Sequence, residues 1–449
     1  MSNRTLGAIA AALAWLIASP HMLRADQAIT LDARLAQPVM KEGIAHKNYL
    51  KVGLTGCRPD PNDNRPPVNV AFVIDRSGSM QGDRIAQARG AAIMAINRLK
   101  ADDIASVVVF DHRVDVLVPA QQVTNPRVFT DVVQGINIGG TTAIYEGVLR
   151  GSDQVLKNKK LGRLNRVVLL SDGQANVGPS RVDDFNKLGT MLLSQGVSVS
   201  TIGLGLGYNE DLMLELARTS DGNHAFARDP SDLINIFNRE FNDVLSSCAQ
   251  TVSIDIDLKP GVRAVKAVSR DGEIAGAKAQ FKMNQVYAAT EHYVLVEVEL
   301  DPQLAIAGEQ DLGVVKVGYA KPGESSRQTM DARIIGRFTA SDDEIKAGID
   351  TKVGEVVLEQ VARSRARDAV ALRDKGQYDQ ARQLLLQNAA EIQGYAAAVP
   401  TTSMQLIDLG KQYDAMGAAP STAAPSLFNA QRKSLRELDS NRAGTGRRY

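Results

Sequence analysis

The chain has 449 residues, too many for one ordinary core, and a soluble globular composition in which aromatics make up only 5%. Its formal net charge of +1 provides no general attraction to nucleic acid or to a membrane surface. The five histidines (His21, His46, His112, His224 and His292) show no metal-hydrolase spacing, no G-x-S-x-G elbow is present, and neither cysteine sits in a catalytic motif. The sequence therefore argues against an enzyme.

Arg4 and the apolar run Leu6–Ala18, followed by Leu23-Arg24-Ala25, read as a secretory signal peptide over residues 1–25, cut before Asp26. The run is short for a membrane span, and an uncleaved amino-terminal anchor is the alternative. No cysteine near the cut points to a lipoprotein, and no later stretch is long and apolar enough to cross a bilayer. A periplasmic or secreted protein is expected. Residues 26–57 hold two alternating segments, Ala28–Met40 and Lys47–Gly56, that read as strands. They are too few to form a core and must pair with something downstream. Arg58–Pro67 is a linker rich in Pro, Asp and Asn.

Val68–Ile74 is an apolar run expected to be a strand buried on both faces, and it ends at Asp75. Ser77, Gly78 and Ser79 follow on a turn before a helix that begins near Asp83. One carboxylate and two hydroxyls thus stand at the carboxyl end of a central strand, where open α/β sheets bind ligands. Gly139-Gly140-Thr141-Thr142 can bring a threonine hydroxyl to the same edge. Arg166–Ser171 is a second buried strand that ends in Asp172 and Gly173. An all-oxygen set suits Mg²⁺ or another hard cation rather than zinc or copper.

The remaining segments between residues 67 and 247 alternate strands and helices. Helices are expected over Asp83–Lys100, Ala143–Lys157, Asp183–Gln195, from Asn209 to Thr219, and from Asp229 to about Ser247, with Asn125-Pro126 starting another. Strands are expected over Ile104–Phe110, Arg113–Val118 (antiparallel, at an edge), Val197–Ile202 and His224–Arg228. The result is a doubly wound, mostly parallel six-stranded sheet. Gly203-Leu204-Gly205-Leu206-Gly207 has neither the spacing nor the place of a dinucleotide fingerprint and reads as a tight loop. Residues 251–340 switch to a period of two and are expected to form a β-sandwich completed by the amino-terminal strands, with the α/β domain inserted in it. Cys57 and Cys248 flank that insertion, so they should be neighbours and are expected to form a disulfide after export. Ser341-Asp342-Asp343-Glu344 is a capping box that opens a long helix to Asp374. A second helix to Ala398 makes a hairpin domain over residues 341–416, whose Gly376, Tyr378 and Ala381 resemble a single tetratricopeptide-type repeat. Residues 417–449 read as a mostly disordered tail.

The pattern D-x-S-x-S, then T, then D, in this order, resembles a von Willebrand factor type A domain with its metal-ion-dependent adhesion site. Carried over by position, the resemblance implies metal residues Asp75, Ser77, Ser79, Thr141 and Asp172. It implies Mg²⁺, with Mn²⁺ or Ca²⁺ as alternatives, and a protein partner that offers an Asp or Glu carboxylate. The layout resembles bacterial exported proteins of the calcium-activated chloride channel-like group and, more distantly, inter-alpha-trypsin inhibitor heavy chains. No channel is implied, since pore-forming segments are absent, and the stretch before Cys57 is too short for the heavy chains' extra amino-terminal domain. The expected function is metal-dependent adhesion or scaffolding. An accessory subunit of a cell-envelope complex with a structural metal dock is the alternative, and a metal-dependent hydrolase ranks third.

Overall fold

The computed structural model describes residues 28–57, 66–160, 162–172, 175–204, 209–227, 246–324, 326–418 and 445–448, with residues 233, 235 and 236. The signal peptide, most of the Arg58–Pro67 linker, Gly173, Gly205–Gly207 and most of the helix expected from Asp229 lie outside these residues.

Strands β1 (Ile29–Leu35), β2 (Val39–Lys41) and β3 (His46–Gly56) lead into β4 (Val68–Asp75). Helix α1 (Asp83–Ile96), β5 (Ile104–Phe110), β6 (Val114–Gln122), α2 (Arg127–Gln134) and α3 (Ile144–Lys157) follow. The α/β unit continues with β7 (Leu164–Ser171), α4 (Val182–Ser194), β8 (Ser198–Leu204), α5 (Glu210–Thr219) and β9 (His224–Ala227). Its six strands are ordered β6-β5-β4-β7-β8-β9, with only β6 antiparallel. Every residue of β4 is buried because both faces are covered. Phe72 and Ile74 pack toward α1, whereas Ala71 and Val73 pack toward α3, α4 and α5. A Cβ on Gly151 of α3 would come within 2.4 Å of Val73, so the helix lies on the sheet at a distance only glycine allows.

The second layer system is a β-sandwich. Strands β10 (Ser247–Leu258), β11 (Val262–Ala267), β12 (Glu273–Ala275), β13 (Lys278–Tyr287), β14 (Thr290–Leu300), β15 (Gly308–Ala320) and β16 (Arg327–Thr339) form it with β1–β3. One sheet runs β1-β3-β14-β11 and the other β12-β13-β10-β15-β16-β2. The inner positions of both sheets, such as Leu50, Val52, Ile254, Ile256, Val294 and Val317, make one shared core. The α/β unit sits on this base through the amino ends of its strands. Arg166 of β7 donates to Ser200 Oγ at 2.8 Å on one side, and to Gln285 Oε1 at 3.0 Å and Tyr287 Oη at 2.7 Å across the seam. Asn284 donates to Ser198 Oγ at 2.9 Å, and Asp221 pairs with Arg270.

The structure departs from the sequence expectations in three places. The helical region is not a hairpin. Helix α6 (Asp342–Ala347) ends at Gly348, and Asp350 caps a separate helix α7 (Thr351–Asp374) by accepting from the Val353 N–H at 3.0 Å. Helix α8 (Tyr378–Ala398) is followed by α9 (Met404–Ala418), which shares a core with α7 and α8 through Leu406, Leu409 and Tyr413. Gln360 of α7 donates to Tyr293 Oη at 2.7 Å and ties these helices to the sandwich. In the tail, Thr445–Arg448 is a strand, β17, paired with Thr290 and His292 of β14 beside the end of β11.

The cysteines are the third departure. Cys57 and Cys248 are brought together, as the ends of an inserted domain must be, but as two thiols and not a disulfide. The Cys248 thiol donates to the Cys57 carbonyl at 2.9 Å, so its hydrogen-bonding direction is set by backbone rather than by the other sulfur. Burial, and then the neighbouring Cys57, push the Cys248 thiol up to about 12, and burial raises Cys57 as well. A thiol held protonated is a poor nucleophile for disulfide exchange.

Candidate metal centre

Parallel register assembles the site. Ile74 of β4 pairs with Leu170 of β7, so Asp75 and Ser171 end their strands at the same level. Ser171 donates to Asp75 Oδ2 at 2.5 Å, and the Ser77 N–H donates to Oδ1 at 2.8 Å. Asp75 is fully buried. Beyond it the chain makes one tight turn, Gly78–Met80, whose buried Met80 anchors it in the core below α1. Ser77 and Ser79 are thereby brought side by side with their Oγ atoms 3.0 Å apart. Ser79 donates to Asp172 Oδ1 at 2.8 Å. The result is a continuous string of oxygens from Asp75 through Ser77 and Ser79 to Asp172.

Thr141 arrives on a separate loop, held by backbone bonds. The Gly139 N–H donates to the Arg76 carbonyl at 2.6 Å, and the Gly78 N–H donates to the Gly140 carbonyl at 2.9 Å. Thr141, next in the chain, is exposed at this edge, and its hydroxyl has no hydrogen-bond partner among the described residues. Thr142 is fixed behind it, its N–H donating to Asn176 Oδ1 at 2.7 Å.

Local sequence reading misses three residues of this edge. Ser171 holds Asp75. Arg84, in the first turn of α1, pairs with Asp172 Oδ2 and donates to the Ser79 carbonyl at 3.0 Å. Asp111, just past β5, accepts from the Arg113 N–H at 2.8 Å and the Gly140 N–H at 3.3 Å, and lies 3.2 Å from Arg76 Nε. Burial raises the Asp111 carboxyl, but the Arg113 N–H, Arg76 and the Gly140 N–H outweigh it and leave it below the usual range. A Cβ on Gly139 would lie 1.7 Å from Asp111 Oδ2, so only glycine permits this approach. The signal for Ser171 and Asp111 was their place, directly at or after the ends of strands flanking β4.

The donor set fits a hard divalent cation. An octahedral ion with metal–oxygen bonds of about 2.1 Å has donor–donor edges of about 3 Å, the spacing the site already holds between Ser77, Ser79 and Asp172. Among the described residues no group of three or more His, Cys, Asp or Glu side chains could hold a metal, so the donors at this edge are hydroxyls backed by two carboxylates.

The electrostatics call for positive charge. Burial pushes the Asp75 carboxyl up to about 6, against the pull of the Ser171 and Ser77 hydrogen bonds, and the charge of Asp172 adds to the rise. A carboxyl whose folded value lies above its unfolded value stabilises the fold when protonated, and that contribution is lost as pH rises through about 6. The gap from the ordinary 3.8 corresponds to up to about 3 kcal/mol. In chelator, Asp75→Asn should therefore be more stable than wild type at neutral pH and lose that advantage below about pH 4. Urea unfolding at several pH values checks this, and parallel stability profiles for the two proteins would refute it.

The family model for the von Willebrand factor type A domain matches residues 69–239. An uncharacterised protein of Synechocystis is 28% identical over 311 residues, covering 67% of this chain and 70% of that one. Inter-alpha-trypsin inhibitor heavy chain H3 of Pongo abelii is 31% identical over 173 residues, and the match spans only 19% of its length. Among solved structures, a von Willebrand factor type A protein from Catenulispora acidiphila superposes with a TM-score of 0.71 over 94% of this chain and 97% of that chain. At 15% identity it shows the fold alone.

Proposed function

Because the chain carries a von Willebrand factor type A domain at residues 69–239, we propose that it is a protein-binding module whose Asp75, Ser77, Ser79, Thr141 and Asp172 hold a divalent cation, Mg²⁺ or failing that Mn²⁺ or Ca²⁺, that captures a partner's carboxylate. The observation that carries this reading is the oxygen string at the carboxyl edge of the sheet, turned away from the sandwich base. The base grips the amino ends of the strands, and the eight residues of β4 put roughly 25 Å between the two.

The cation would supply Lewis acidity toward a carboxylate oxygen of the partner. Ser77, Ser79 and the exposed Thr141 would offer neutral hydroxyls to it. Asp75 and Asp172 are buried, and each is already held by a serine hydroxyl, so their charge acts from behind the hydroxyls. Little anionic charge then stands between the cation and an incoming carboxylate. The apolar Leu6–Ala18 run supports export, to the periplasm or outside the cell. No helix among the described residues is long and apolar enough to cross a membrane.

Thr141→Ala should abolish partner capture while leaving stability within about 0.5 kcal/mol, because an exposed loop hydroxyl leaves no cavity. Chelator should also abolish capture by the wild type, while removing the stabilisation the cation gives the fold. The test is affinity capture from a cell-envelope fraction with and without chelator, read by mass spectrometry. A partner retained in chelator and by Thr141→Ala would place recognition elsewhere on the molecule.

A further inference from the structure

Among the described residues, Arg84 stands outside the oxygen set yet touches it twice, through Asp172 Oδ2 and the Ser79 carbonyl. The Asp172 carboxylate is completely buried, while Arg84 keeps 42% of its side chain exposed. Arg76, the other nearby guanidinium, is taken up by Asp111 and Asp115. Asp75, Asp172 and Arg84 therefore leave the innermost site with one net negative charge. A divalent cation turns that into one net positive charge, and one carboxylate from outside returns it to neutrality.

We propose that Arg84 is a charge-setting residue that weakens cation binding on its own and couples it to the arrival of an anionic ligand. The inference rests on the cation site proposed above. Without Arg84 the loaded site would be neutral. It would then hold its cation more tightly and gain less from an incoming carboxylate. With Arg84, cation and carboxylate each favour the other, and by linkage the coupling is reciprocal. The charge is fixed, since a guanidinium does not titrate in the physiological range.

The test is calorimetric titration with MgCl₂ alone, then with sodium acetate present as the simplest carboxylate, on wild type, Arg84→Gln and Arg84→Lys. Arg84 is exposed enough for both variants to fold, which a melting curve checks. Arg84→Gln should bind Mg²⁺ about tenfold more tightly at low salt, Arg84→Lys should behave as wild type, and the difference should shrink at high salt as screening sets in. Acetate should tighten the apparent Mg²⁺ affinity of wild type more than that of Arg84→Gln. Equal or weaker Mg²⁺ binding by Arg84→Gln, or an equal response to acetate, would overturn the proposal and leave Arg84 as a prop for Asp172. A wild type that binds no Mg²⁺ at all would overturn the cation site itself, a different result from either.

Discussion

Mg²⁺ or Mn²⁺ should raise the melting temperature of the wild-type protein, and Asp75→Ala should abolish the rise completely. A ligand that binds only the folded state stabilises it by about 2.7 kcal/mol at a hundredfold excess over its dissociation constant. Asp75 is the keystone because it is bonded at both oxygens, to Ser171 and to the Ser77 backbone, and so sets the turn that presents Ser77 and Ser79. Alanine removes the charge and the turn's anchor together. Asp75→Asn separates the two effects, since it keeps the shape and loses the charge. It too should give no cation-dependent shift. A rise of equal size in wild type and both variants would show that the cation binds elsewhere.

Arg166→Met should destabilise the protein by about 2–3 kcal/mol, because buried acceptors lose a charged hydrogen-bond donor. Arg166 is buried in the seam between the α/β unit and the sandwich, and its guanidinium serves Ser200, Gln285 and Tyr287. Methionine fills similar volume, so the loss is of hydrogen bonds rather than of packing. The buried Gln285 and Tyr287 oxygens would lose a charged donor, and the two units would lose their central tie. Thermal unfolding should split from one transition toward two, as the α/β unit and the sandwich melt separately. A single transition shifted by less than about 1 kcal/mol would mean that the seam is held by other contacts.

Much of this architecture is written locally in the sequence. Val68–Ile74 and Arg166–Leu170 read as buried strands because both faces of the sheet are covered, and D-x-S-x-S is a contiguous signal. Ser171, Asp111 and Arg84 were not legible in that way. Their roles depend on the register of β4 with β7 and β5, and on α1 folding back over Asp172, which no local window contains. The helical region was misread for a related reason. One capping box at Ser341 suggested a single long helix, but Asp350 caps again only nine residues later, after Gly348 closes the first segment. Helix α9 begins after Ser403, whose Oγ accepts from the Leu406 N–H at 3.4 Å, one of three consecutive hydroxyl residues (Thr401, Thr402, Ser403) of which any could have been the cap. Strand β17 exists because β11 leaves part of the β14 edge uncovered, a vacancy defined by the sandwich and not by residues 445–448. The thiol pair teaches the same lesson from the other side. Topology brings Cys57 and Cys248 together, but the direction of the Cys248 sulfur is set by the backbone beside it.

Anomalous diffraction from crystals grown with Mn²⁺ locates the cation directly. One strong peak is expected at the carboxyl edge of the α/β sheet, within coordination distance of the Ser77, Ser79 and Thr141 hydroxyls and absent from Asp75→Ala crystals. No peak at that edge at saturating Mn²⁺, or a peak there that persists in Asp75→Ala, would contradict that expectation.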